Sequence, residues 1–409
     1  MRRILIGRQA SVLFLVLPPD GAELLMRRQQ GQSLGLSRQI LGLAAGMVFS
    51  LLFALSAPPS SQAAAPQSPS SRPSDSALAS DSVVVLTMGT LIQAQVFARD
   101  SRTASALTDL IQNRALEYNQ LFTVHEKSPL TAIAENSGKW TAIDCRAAGL
   151  IEQAKTVARD SAGAFDPTIG PVVNVWRIGF GGNAEPPAGQ IKAAAALVDW
   201  KKIETDLTPG KCRVRIGPGQ SLDLGGIAKG WIGTELAKEL EKSGAVSAMI
   251  DLGGNIALVG PSSKGRDWMI GIQVPEAERG EAFAAVRARG ESVITSGDYE
   301  RFIAADGKVF GHILSAETGR PVPMTMSSVT VVDPDGAKAD AWCTAFFAMG
   351  LDKTLEYMRT HPQMRVLVLG ADKKTVWVSE SLAARVTLID DLKMNVVRAQ
   401  KPDLSEGKN

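Results

Sequence analysis

Asp223-Leu-Gly-Gly-Ile-Ala228 returns a little further on as Asp251-Leu-Gly-Gly-Asn-Ile-Ala257. No other feature limits the fold as strongly. A glycine pair lets the backbone turn, and lets it approach a neighbour that a side chain would hold off. Between the copies lies KGWIGTELAKELEKSGA, in which Ile232, Leu236 and Leu240 share one helical face and Gly244 is placed to end the helix. The first copy is therefore expected to end a strand and open a helix. The second interrupts VSAMIDLGGNIALVG, which reads as strand, tight turn, strand.

The rest of the chain repeats this mixture. SVVVLTMGTLIQAQVFA (82–98) reads as a strand pair turning near Gly89. Over 104–122, Leu107, Leu110, Ile111, Tyr118, Leu121 and Phe122 recur at helical spacing, and AAGLIEQAKTVARDSAGA predicts a second helix ending near Gly163. Strands follow in DWMIGIQV, ESVITSG, RFIAADGKVFGHIL, SSVTVVDP, MRVLVLG and KTVWVS, with Asp306-Gly307 as a hairpin turn. Strand runs, hairpins and interspersed helices predict an α+β fold of mixed β-sheets with packed helices. The alternation of a doubly wound sheet is absent.

Residues 1–65 read as an N-terminal extension and secretory signal. Arg27, Arg28 and Arg38 precede the uncharged run Ile40–Ser56, and small residues follow. Translation from Met26 would give this signal its usual shape, and an uncleaved membrane anchor is the alternative. The Ser-, Pro- and Ala-rich segment 66–80 reads as a linker, 81–397 as one globular domain and 398–409 as a polar tail. A periplasmic location is the expectation.

Composition removes several function classes. Net charge is +2, with no aromatic-interleaved basic patch, so no nucleic-acid partner is expected. The three histidines, His125, His312 and His361, are too scattered for a His-rich metal cluster. Cys145, Cys212 and Cys343 lack metal-ligand spacing. They are expected as isolated buried thiols, with a Cys145–Cys212 disulfide the alternative in an oxidising space.

Candidate chemistry sits at the turns. A helix opening after Gly225-Gly226 offers free N–H groups and a positive dipole end to a phosphate, although a purely structural turn has the same sequence. Lys229 in the first helical turn opposes the dipole unless an anion binds beside it, or else it is simply solvated. GAFDPTIGPVVNVW (163–176) packs Phe165, Asp166 and Pro167 into a dense turn, and its plain reading is Asp166 as a helix cap before Pro167. In ADAWCTAFFAM (339–349), Asp340 and Thr344 stand four apart on one face of an otherwise apolar helix. Local capping of Thr344 by Asp340 is the structural alternative to a ligand site.

MGT (88–90), FDPTIGPVVNVW, DLGGIAKG, DLGGN, TSGDY, GHIL with ETGRPV, and ADAWCTA occur in the order and spacing of the ApbE family, the FAD:protein FMN transferases. The resemblance runs from about Val83 to Leu388. It implies a T-fold-like single catalytic domain that binds FAD as substrate and Mg²⁺ at the pyrophosphate. The implied reaction moves FMN to a Thr or Ser hydroxyl of an acceptor protein and releases AMP; a membrane-bound redox subunit is the expected acceptor. A non-catalytic FAD carrier and an FAD pyrophosphatase are the alternatives.

The resemblance also assigns residues. Asp340, Thr344 and the Gly226 carbonyl match the metal ligands. Met88, Ala164, Phe165, Asp166, Asp223, Lys229 and Leu314 match FAD-contacting positions. His312 matches a recurrent histidine able to take the acceptor proton or orient a phosphate, and Asp223 is the other candidate base. The chain departs from the family pattern twice. Phe122-Thr-Val-His125 replaces an aromatic motif, leaving His125 as a candidate stacking residue, and Ser315-Ala316 follows Leu314 where the family has Asp-Pro.

Overall fold

The computed structural model describes residues 77–400 apart from 276, 278–280, 298–301, 306–307 and 390. The residues read as extension and signal, and most of those read as linker and tail, lie outside the described residues. So do Asp298 and Tyr299 of the TSGDY motif and the Asp306-Gly307 turn.

Strands β1 (Ala79–Thr87) and β2 (Thr90–Ala98) form a hairpin closed by Met88-Gly89, both at positive φ (53° and 66°). This backbone matches the twist of the adjoining strands. Ala79 and Ser80, read as linker, are the first residues of β1. Helix α1 (Ser101–Phe122) opens on Asp100, whose carboxylate accepts the Thr103 N–H at 2.8 Å, and buries Leu107, Ile111, Tyr118, Leu121 and Phe122. Helix α2 (Pro129–Glu135) starts with a reciprocal capping box between Ser128 and Thr131. Strand β3 (Thr141–Ala142) leads into α3 (Cys145–Asp160), then α4 (Gly170–Trp176) and α5 (Ala188–Ala195).

Strands β4 (Glu204–Asp206) and β5 (Arg213–Arg215) join β3 in a small sheet. Helix α6 (Ala228–Lys242) buries Ile232, Leu236 and Leu240. It ends as its sequence predicts: the Ala245 N–H reaches the Leu240 carbonyl at 2.9 Å, with Gly244 at φ 97°. Strands β6 (Ser247–Leu252) and β7 (Asn255–Val259) meet at the second glycine pair. They are followed by β8 (Trp268–Gln273), β9 (Ala282–Ala288), β10 (Ser292–Gly297) and the hairpin β11 (Phe302–Ala305) and β12 (Lys308–Gly311). The chain finishes with β13 (Met326–Asp333), α7 (Gly336–Met349), α8 (Leu351–Thr360), β14 (Val366–Gly370), β15 (Thr375–Ser379), α9 (Glu380–Ala383), β16 (Val386–Leu388) and β17 (Lys393–Val397).

A nine-stranded sheet in the order β1-β2-β6-β7-β10-β13-β14-β15-β17 carries the domain. All neighbours are antiparallel except β15 and β17, so the sheet is mixed, as the patterning predicts. One face is covered by α1, α6 and α7, whose Ile111, Leu236 and Phe346 share a core with Val96, Ile250 and Val331 of the sheet, and α3 packs against α7. The other face is covered by the short sheet β16-β9-β8, where Ile270, Phe283 and Val286 meet Val293, Val332 and Leu367. Each fully buried side chain of this size contributes about 1.5–3 kcal/mol. A third cluster gathers Val172, Trp176, Ile191, Ile303 and Leu314 around α4 and α5.

Two expectations change. Cys145 and Cys212 form a disulfide, and Cys343 alone remains a buried thiol. Pairing of Thr141 with Val214 and Ala142 with Arg213 brings the two cysteines face to face, and the Ile143 N–H bonds the Cys212 carbonyl at 3.1 Å. Strand register made this contact, and register is not visible in cysteine spacing. Asp223 does not end a strand either. It lies outside any strand, well after β5, its N–H held by the Pro167 carbonyl at 2.9 Å.

Candidate active site

Most of helix α7 is apolar because most of it is covered. Asp335 caps its start by accepting the Lys338 N–H, and Trp342, Ala345, Phe346 and Phe347 are buried. Asp340 is also buried, at 4% exposure. A carboxylate there needs compensation. Part of it comes from α6: Asp340 Oδ2 accepts the Gly230 N–H at 2.9 Å. Asp340 thus caps the N-terminus of a neighbouring helix, whose own N-cap, Ile227, has no side-chain acceptor.

The two helices approach backbone to backbone. A Cβ on Gly230 would stand 2.0 Å from the Gly336 carbonyl oxygen and 2.7 Å from Asp340 Cβ. One turn along α7, Thr344 Oγ1 donates to the Gly226 carbonyl at 3.4 Å, and a Cβ on Gly226 would come within 2.7 Å of that hydroxyl. Glycine is required at both positions by this approach. Asp340, Thr344 and Gly226, matched separately in the sequence, are thus brought together at the start of α6, where Lys229 is half-buried in the first turn.

Asp223 folds back on the same turn, its Oδ1 accepting the Gly225 N–H at 2.8 Å. The Asp223–Pro167 bond ties this turn to the 164–168 segment. There Asp166 is buried, and its role is not that of a helix cap for α4. Its Oδ1 accepts the Thr168 N–H and hydroxyl at 2.8 and 2.7 Å, and its Oδ2 accepts the Trp200 N–H at 3.1 Å. Burial holds its carboxyl above the ordinary carboxylate range, against the pull of these bonds. Phe165 is buried in the main core and Leu314 in the cluster around α4, so both side chains serve packing.

Met88 sits apart from the α6–α7 group along the chain but at the same end of the large sheet as the second glycine turn. Ile92 pairs with Leu252, and Thr90 lies against Gly253. His312, directly after β12, is half-buried. His125 lies in the loop after α1 with its ring 4.4 Å from that of Phe180, an exposed residue that sequence reasoning did not single out.

Among the described residues, no three His, Cys, Asp or Glu side chains stand together as a metal site. The donors at Asp340, Thr344 and Gly226 are carboxylate, hydroxyl and carbonyl oxygens. Such a sparse, hard set fits a cation like Mg²⁺, which keeps part of its shell for phosphate and water. It does not fit a metal that needs several imidazole or thiolate ligands.

The ApbE family model matches residues 88–368. The chain belongs to the ApbE family. It is 35% identical over 275 residues to a FAD:protein FMN transferase of Klebsiella pneumoniae, covering 66% of this chain and 83% of that protein. It is 30% identical over 325 residues to the FAD:protein FMN transferase of Treponema pallidum, covering 75% and 88%. The crystal structure of the ApbE protein of Thermotoga maritima superposes with a TM-score of 0.67 at 27% identity, over 75% of this chain and 99% of that one. The flavin transferase ApbE of Vibrio cholerae superposes at 0.63 with 26% identity, over 75% and 99%. The α+β architecture of this chain is therefore the ApbE fold.

Proposed function

We propose that this chain transfers FMN from FAD to a Thr or Ser hydroxyl of an acceptor protein in a Mg²⁺-dependent reaction that releases AMP. The observation that carries this reading is the meeting of the Gly225-Gly226 turn, the α6 N-terminus and the Asp340/Thr344 face of α7 in a member of the ApbE family. Asp340, Thr344 and the Gly226 carbonyl would hold Mg²⁺, which when bound neutralises diphosphate charge and polarises phosphorus.

The α6 dipole and Lys229 favour an anion at the same end. Met88 and His125, with its Phe180 neighbour, offer apolar and ring surfaces for the flavin or adenine. Ala164, Phe165, Asp166 and Leu314 fix the walls through backbone position and packing. The acceptor hydroxyl attacks the FMN-side phosphorus in line, AMP leaves, and His312 or Asp223 takes the hydroxyl proton.

The Cys145–Cys212 disulfide supports an oxidising, periplasmic location, consistent with the signal-like N-terminus. A membrane-bound redox subunit facing that space is the proposed acceptor. Purified protein mixed with FAD, Mg²⁺ and a Thr-bearing acceptor domain should yield a covalently fluorescent acceptor and AMP in equal amounts. Neither product across several acceptors and divalent metals would end this reading. The Ser315-Ala316 substitution favours a second reading, a flavin carrier without turnover, and catalytic AMP release excludes it. Free FMN formed without an acceptor would instead indicate a pyrophosphatase.

A further inference from the structure

The second glycine turn has no part in the proposed transfer reaction, yet it ends on a residue that the structure leaves unexplained. Asn255 stands where the first repeat has Ile227. It is 2% exposed, and its amide nitrogen Nδ2 has no hydrogen-bond partner among the described residues. A buried amide donor without an acceptor is costly, and such groups are rare unless something else fills the need.

Its direction follows from strand alternation. Asn255 and Ala257 share a face of β7, and Ala257 Cβ lies 3.1 Å from where a Cβ on Gly233 of α6 would stand. Asn255 therefore faces α6, about one turn nearer its N-terminus than Gly233. Across the sheet it pairs with Ile294, whose carbonyl accepts from Cys343 Sγ at 3.1 Å, and Cys343 immediately precedes Thr344. Asn255 thus lies on the face of β7 turned toward α6, beside the strand that α7 reaches through Cys343.

We propose that Asn255 is a ligand-binding residue whose Nδ2 donates a hydrogen bond to a diphosphate oxygen of FAD. The inference rests on the reading of FAD as substrate. The helix N-terminus that β7 faces and the candidate metal ligands on α7 suit an anion together with its cation.

The test uses the full chain, with calorimetric titration of FAD and of ADP-ribose in Mg²⁺ and melting curves without ligand. ADP-ribose holds the diphosphate but no flavin. Asn255→Leu should weaken both ligands roughly tenfold or more while melting no lower than the parent, since an orphaned donor is removed. Asn255→Asp should weaken both further by setting a carboxylate against the diphosphate, and being isosteric it serves if the leucine variant does not fold. Unchanged affinity in a folded variant overturns the proposal, as does a lowered melting temperature with unchanged affinity. Loss for FAD alone would move the acceptor to the flavin half and overturn the diphosphate assignment. A parent protein that binds neither ligand removes the FAD reading itself, a result distinct from these.

Discussion

Asp223-Leu-Gly-Gly and Asp251-Leu-Gly-Gly each fold the aspartate back onto a glycine N–H, Asp223 to Gly225 at 2.8 Å and Asp251 to Gly254 at 2.7 Å. Beyond that shared turn they differ in their anchorage. The first is fastened to segments far away in the chain: Pro167 through the Asp223 N–H, and α7 through Gly226 and Gly230. The second is set by the strands on either side of it, with Thr90 of β2 against Gly253. One local sequence thus serves as a junction in one place and a hairpin in the other. The difference lies in the element that each turn opens, an amphipathic helix in the first case and a strand in the second.

The sharpest break of this contrast is Asp340→Ala. FMN transfer should fall roughly a thousandfold, as for loss of a preorganised electrostatic group. Stability should fall by about 1 kcal/mol at most, because α6 loses a cap while a buried carboxylate disappears. AMP release per folded molecule, with melting curves in EDTA and in Mg²⁺, checks both. Asp251→Ala should lower stability by a similar amount and cost turnover far less than Asp340→Ala does. Near-normal turnover in folded Asp340→Ala would refute the metal-ligand assignment.

Removing the tether behind the first turn comes next. The Cys145–Cys212 disulfide closes a loop of 67 residues that contains Ala164, Phe165 and Asp166. Its loss as a double serine variant should cost up to about 4 kcal/mol on the chain-entropy account, read as a shift in urea midpoint. Reduction of the parent protein should reproduce the shift.

The glycines separate the two turns more finely. Gly230→Ala places a Cβ against backbone of α7 and should cost roughly 1–3 kcal/mol, because neither helix can move freely. Gly254→Ala has open space around the new Cβ, so only its positive φ of 96° opposes the change, at about 1–2 kcal/mol. Equal losses of transfer in the two variants would show that the two turns are functionally alike and erase the contrast between them.

The smallest effect concerns acid. The folded chain keeps the Asp166 proton to a higher pH than the unfolded chain does. Its titration therefore adds stability as pH falls from the folded value toward the ordinary carboxylate value, and removes it as pH rises through the folded value. The urea midpoint of the parent relative to Asp166→Asn should rise over that interval. A flat difference would mean that Asp166 titrates like an exposed carboxylate, and one that shrinks on acidification would mean that its hydrogen bonds outweigh burial.

Local chemistry is readable from the sequence. The Met88-Gly89 hairpin, the Gly244 helix end and the strand–turn–strand around Gly253-Gly254 follow from residues within a few positions of one another. Features set by long-range register need the structure. The disulfide depends on β3 lying beside β5. Asp166 has the sequence context of a helix cap because Pro167 follows it, but its oxygens are taken by Thr168 and by Trp200, much later in the chain. Strand β9 carries little signal because its alanine-rich AFAAVRA has no marked alternation; pairing between β16 and β8 and packing on the large sheet make it a strand. The candidate metal ligands enter through family resemblance. The Asp340–Gly230 bond across two helices, and the buried amide of Asn255, have no sequence signal beyond the repeat itself.

The order of the large sheet bears on how the chain acquires its structure. The β1–β2 hairpin can close as soon as its short turn is made, but β2 then waits for β6, because Phe97 pairs with Ser247. Every helix from α1 to α6 is synthesised in the interval. Until β6 arrives, β2 presents an unpaired edge, the kind of surface on which nascent chains aggregate or pair with one another. Pairing across so much intervening sequence is also slow. Association of β2 with β6 is thus the step at which a delayed or truncated chain is most exposed to misassembly, and changes that weaken α6 should lower the yield of folded protein more than its final stability.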